Sequence, residues 1–137
     1  MKMTNTVIKL LFDALNQPGF FENATGITGY AIYKNVRILT DEVKDYQKII
    51  DDAIKKYGKE SSEGYYTIDQ TDSKAVEKFT KEILPVANAE IDVDLFQISE
   101  DQFDLPFCET ATPSQYAIIE EFLIKHTDSE DDITIQG

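Results

Sequence analysis

Apolar and polar positions recur along this chain with two different periods, and the changes of period divide it into elements. From about Thr4 or Thr6 to Leu15, the residues Val7, Ile8, Leu11, Ala14 and Leu15 fall on one helical face, and the turn-forming run Asn16–Gly19 ends it. Phe20 and Phe21, in the short link that follows, are placed to tuck beneath the next element. That element carries the strongest periodic signal. Ile32, Val36, Leu39, Val43, Tyr46, Ile50, Ala53 and Tyr57 are spaced alternately four and three residues apart, a heptad seam. Thr28 is positioned to cap its start, and Gly58 to close its end in a left-handed conformation. About 29 residues rising 1.5 Å each give a helix of roughly 43 Å, a spine for a domain of this size. The seam is expected to pack against other helices of the same chain; self-association through part of it, as a homodimer, is its other use.

Beyond the spine the elements shorten. Residues 65–68 predict a brief strand, and Asp72 or Ser73 caps a helix facing inward with Val76, Phe79, Ile83 and Leu84, with Pro85 near its end. Residues 90–95 alternate strictly, with Ile91, Val93 and Leu95 inward and Glu90, Asp92 and Asp94 outward, a half-buried strand. Phe103, Leu105 and Phe107 are expected to anchor an irregular segment. Thr112-Pro113-Ser114-Gln115 is a capping box with proline at the first helical position, so a last helix runs from about Pro113 to Lys125, with Tyr116, Ile119, Phe122 and Leu123 inward. The predicted fold is α+β and mainly helical: a long central helix packed with three shorter helices and a small two- or three-stranded β element. Residues 1–126 form one globular domain, and 127–137 an acidic tail expected to be flexible, with Ile133 and Ile135 placed to dock as an edge strand.

Charge changes this picture from a generic helical domain to a lopsided one. The chain of 137 residues has 26 acids against 13 cations, a net charge of −13. Residues 1–60 carry nine Lys or Arg and eight Asp or Glu; residues 61–137 carry four and eighteen. Such asymmetry disfavours nucleic acid and anionic lipid as direct partners and favours basic ones. The start lacks the features of a signal peptide, since Lys9 and Asp13 interrupt its apolar run, and no segment has the roughly 18–20 apolar residues of a membrane span. A single cysteine, Cys108, precludes an internal disulfide and agrees with a reducing compartment. The chain is expected to be cytoplasmic.

Reactive chemistry is sparse. "KKYGKESSEGYYTID" (55–69) has the glycines and lysines of a phosphate loop, but Ala53 and Glu60 stand where a Walker motif needs glycine and Ser/Thr. The stretch is better explained as a helix end followed by a turn at Glu63-Gly64. Cys108 and His126 are the only residues from which a Cys–His pair could form, and a buried thiol with a helix-terminal imidazole is the plainer reading. "DVD" (92–94) begins like a calcium loop, but Phe96 and Gln97 occupy the next required positions. Glu120-Glu121 lies on a helix face without an evident cleft. No catalytic residue, metal site or cofactor is expected, and the protein is predicted not to be an enzyme.

"AIYKNVRIL", "YQKIIDDAIKKYGKE", "GYYTID", "FTKEILPV" and "EIDVDLFQIS" occur in an order that resembles a small family of unknown function encoded by phages and prophages, mostly of Gram-positive bacteria. The match spans roughly residues 28–125; the segment "LFDALNQPGFFENATGITG" and the acidic tail depart from it. The resemblance implies a phage or prophage origin in a bacterial host cell and assigns no catalytic residues. Small acidic phage proteins often look like inhibitors of host nucleic-acid machinery, including restriction and CRISPR nucleases. The expected function is therefore a non-enzymatic acidic module that mimics nucleic acid and binds a basic surface of a host protein. Glu90, Asp92, Asp94, Glu100, Asp101 and Asp104 are the expected contact face, assisted by Asp128, Glu130, Asp131 and Asp132. The alternative is an assembly accessory acting through the helical seam.

Overall fold

The computed structural model describes residues 1–126. The chain is mainly helical, with one long helix packed against shorter ones and two small antiparallel sheets, as its periodicity predicts. It packs as two compact units. One comprises Met1, Leu10–Leu39 and the chain from Val93 onward; the other comprises Lys2–Lys9 and Thr40–Asp92.

In chain order the elements are strand β1 (Lys2–Thr4), helices α1 (Asn5–Leu15), α2 (Phe20–Asn23) and α3 (Gly26–Tyr57), strands β2 (Lys59–Glu60) and β3 (Tyr66–Thr67), helix α4 (Ser73–Ala87), strand β4 (Glu90–Asp92) and helix α5 (Pro113–Leu123). The long helix α3 has 32 residues, which at 1.5 Å each is about 48 Å. It starts before Thr28, so that residue is not its cap. All eight seam positions are buried or half-buried, and Ile32, Leu39 and Ala53 are fully so.

The core of the first unit is built from Leu11, Ala14, Leu15, Phe20, Ala31, Ile32, Leu39, Ile119 and Leu123, each with no exposed surface. Phe20 meets Tyr116 edge-on at 5.2 Å, whereas Phe21 stays half-exposed. The buried stripe here runs through Thr28, Ile32, Asn35 and Leu39, with Val36 only half-buried. The first unit therefore covers the Asn35 side of the seam more fully than the Val36 side. Helix α5 opens with the predicted capping box, Thr112 accepting from the Gln115 amide and the Gln115 side chain accepting from the Thr112 amide. It ends two residues earlier than predicted, because Ile124 turns extended and pairs with Ile98 in a parallel bridge. Phe107 is 80% exposed and anchors nothing, contrary to expectation, while Phe103 and Leu105 are half-buried.

In the second unit β1 pairs antiparallel with β4, setting Met3 opposite Ile91. A three-residue strand leaves no periodic signal, so β1 is not legible in the sequence. Thr4, the last residue of β1, accepts from the Val7 amide at 3.2 Å, starting α1. Buried Asn5 donates to the Val86 carbonyl at 2.8 Å. Asp72 caps α4 through the Ala75 amide, as predicted. The inward line of α4 runs through Val76, Phe79, Ile83, Val86 and Ala87; Leu84, expected inward, is 54% exposed.

Strands β2 and β3 form the second sheet around a turn at Ser61–Tyr65, in which Gly64 takes a φ of 93°. The expected left-handed conformation at Gly58 is not found, since Gly58 is absent from the positive-φ glycines. Its reason for being glycine is steric: an added Cβ would lie 2.5 Å from the carbonyl oxygens of both Ile54 and Thr67.

Candidate functional site: an acidic interaction surface

The acid-bearing segment of the first unit is held by two polar side chains that α3 buries. Asn35 has no exposed surface, and its amide pairs both ways with one residue: Nδ2 donates to the Phe96 carbonyl and Oδ1 accepts from the Phe96 amide, each at 2.8 Å. This side chain imitates a neighbouring strand. Seven residues earlier on the same face, the Thr28 hydroxyl donates to the Gln102 carbonyl at 3.2 Å and accepts from the Asp104 amide at 2.9 Å. A buried amide or hydroxyl is tolerated only when its bonds are made, and here all four bonds go to the backbone of residues 96–104. Tyr30 adds an edge-on ring contact to Phe96 at 5.2 Å.

With the backbone clamped, the carboxylates point outward at set positions. Asp94 is exposed between buried Val93 and Leu95, the alternation read from sequence persisting beyond the strand. Glu100 and Asp101 stand exposed on a single 3-10 turn, Glu100–Gln102, and Asp104 is exposed just after it. The other two described members of the predicted face, Glu90 and Asp92, are exposed on β4 in the second unit. Asp92 lies 3.7 Å from the Lys2 ammonium, a solvent-bathed pair of little strength. Asp128, Glu130, Asp131, Asp132, Ile133 and Ile135 lie outside the described residues.

Division into units also redraws the charge map. Among its described residues the first unit has nine acids, all exposed, against Lys34, Arg37 and Lys125, while the second has thirteen acids and ten lysines. Both units therefore share the acid excess, and the first has the higher ratio of acids to cations. Glu120 and Glu121, which sequence placed on a face without a cleft, line an open groove of about 370 Å³ together with Glu100, Ala117, Ile124 and His126. Only the chain's folding back at Ile98 and Ile124 brings Glu100 to the α5 carboxylates, so no spacing rule along the sequence could have revealed it.

The remaining candidate groups have structural partners. The Cys108 thiol is buried and donates to the Pro18 carbonyl, and the Tyr116 hydroxyl bridges the Cys108 amide and carbonyl at 2.8 and 3.1 Å. His126 instead sits 3.0 Å from the Glu121 carbonyl at the end of α5. Lys59 of the Gly58-Lys59 stretch lies in β2, so this lysine follows a helix and belongs to a hairpin. No family model, curated protein or solved structure matches the chain. Among the described residues, no helix is long and apolar enough to cross a membrane.

Proposed function

We propose that the chain is a non-enzymatic acidic interaction module of phage type, acting in the cytoplasm of a bacterial host. Its acidic surface takes the place of nucleic acid on a basic face of a host protein, such as a restriction or CRISPR nuclease. The observation that carries this reading is the clamped acidic segment: Asp94, Glu100, Asp101 and Asp104 are exposed on a backbone that Asn35 and Thr28 hold by four hydrogen bonds. Carboxylates on an ordered backbone can meet Lys/Arg side chains that normally hold phosphates, and little further ordering is lost on binding. Glu120 and Glu121 extend the same surface beside Glu100. The other reading, an assembly accessory acting through the helical seam, would need side chains that are here buried or half-buried.

Affinity capture from a bacterial host lysate, followed by titration of the identified protein, tests the proposal. The captured protein should be released between low and moderate salt and displaced by nucleic acid. It should bind the Glu100→Lys/Asp101→Lys/Asp104→Lys chain at least about tenfold more weakly, an opposed charge costing more than ~1.4 kcal/mol. A partner that holds the triple variant as tightly as the native chain, or ignores competing nucleic acid, refutes it.

A further inference from the structure

One face of the first unit carries exposed aromatic rings in an ordered array. Phe21, 52% exposed, stacks on Tyr33, 45% exposed, with ring centroids 6.3 Å apart and planes 29° from parallel. The Arg37 guanidinium lies 5.7 Å from the centre of the same Tyr33 ring. Single exposed apolar residues are ordinary; a stacked aromatic pair topped by arginine has the composition of an interface anchor. Lys34 and Arg37, two of the three cations in the described part of this unit, flank one groove with Ile38 at that end. At the other end, Glu22, the residue after Phe21, shares a groove of about 380 Å³ with Phe107 and Glu109.

The patch therefore runs from an acidic end (Glu22, Glu109, with Phe107) through Phe21 to a basic end (Tyr33, Lys34, Arg37). A surface that meets its own copy across a two-fold axis must be self-complementary, each residue i facing j while j faces i. This patch carries both signs of charge together with exposed rings, the ingredients such a surface requires.

We propose that the chain forms a two-fold homodimer through this face. Phe21 lies near the axis, and Glu22 and Glu109 of each copy face Arg37 and Lys34 of the other. The occupant is a second copy because the patch holds both halves of the charge complement itself, in a unit otherwise almost devoid of cations. Rings already stacked lose little rotamer freedom on contact. The interface is separate from the seam of α3 and from the acidic segment, and it does not depend on the proposed function.

Sedimentation velocity on the full chain, from about 1 µM to about 1 mM, spans the affinity expected of a small interface. A monomer–dimer equilibrium without larger species is expected. Arg37→Glu alone, and Glu22→Lys with Glu109→Lys, should each raise the dissociation constant at least about tenfold. All three positions are exposed, and an unchanged far-UV spectrum should verify the fold of both variants. Mixing the two variants in equal amounts should restore the dimer, since in the mixed pair one side is charge-swapped and the other native. A native chain that stays monomeric throughout, a dimer untouched by Arg37→Glu, or a mixture that remains monomeric overturns the proposal.

Discussion

Replacing Asn35 by leucine isolates the clamp on the acidic segment. The two side chains are close in size, so packing volume is nearly kept while both hydrogen bonds to Phe96, each 2.8 Å, are lost. The Phe96 amide and carbonyl then face an apolar side chain. Leaving a buried polar group unpaired costs about 1–3 kcal/mol. Against two such losses stands the relief of no longer burying the asparagine amide, so a net destabilisation of about 2–3 kcal/mol follows. That corresponds to a fall in melting temperature of roughly 10 °C for a domain of this size. Thermal denaturation followed by far-UV circular dichroism measures the fall, and amide hydrogen exchange should show the extra opening concentrated at residues 94–104.

Asn35→Asp sharpens the test. Its carboxylate can still accept from the Phe96 amide, but it faces the Phe96 carbonyl where a donor is needed. Burial and that carbonyl both favour the neutral acid and raise its folded pKa. Such a variant keeps its stability below the ordinary aspartate pKa, where the protonated acid can donate, and loses it as pH rises through the raised value. A leucine variant melting within a few degrees of the native chain, or an aspartate variant whose deficit does not grow with pH, refutes the clamp.

Two further outcomes are expected. Gly58→Ala should destabilise by about 1–3 kcal/mol by overpacking, because its Cβ would press on the Ile54 and Thr67 carbonyl oxygens at 2.5 Å; a neutral result in urea denaturation contradicts the steric account. Glu82 is held below the usual glutamate range by the Tyr57 hydroxyl bond at 2.7 Å and then by Lys56 at 3.3 Å. Its contribution is therefore present above the ordinary glutamate pKa and lost as pH falls through the depressed one. Melting curves of Glu82→Gln should show a weaker decline on acidification than the native chain, and parallel curves would remove Glu82 from the acid response.

The helices were legible because their signals are local. The α3 seam, the Asp72 cap and the Thr112 capping box each depend on residues within a turn or two of one another, where spacing alone decides which side chains share a face. The outward carboxylates of residues 90–94 follow from period two in the same way, and their exposure could be read directly. The errors fell where a distant segment chose. Phe21 and Phe20 are chemically identical neighbours, and only the ring of Tyr116 and the surrounding core decided that Phe20 is buried. Leu84 fits the helical face by sequence, yet α4 turns Val86 and Ala87 inward instead.

By itself, the sequence determined the helical character, the long α3, the Asp72 and Thr112 caps and the excess of acid, since each is a property of composition or of neighbours along the chain. Tertiary structure alone decided that Thr28 is a buried tether and not a cap, that Asn35 serves as a strand for Phe96, and that Glu100 meets Glu120 and Glu121 across one groove. A polar side chain bonds whichever backbone group is brought within about 3 Å of it. When that group lies sixty or more residues away, as it does for Asn35 and Thr28, nothing in the local pattern names it.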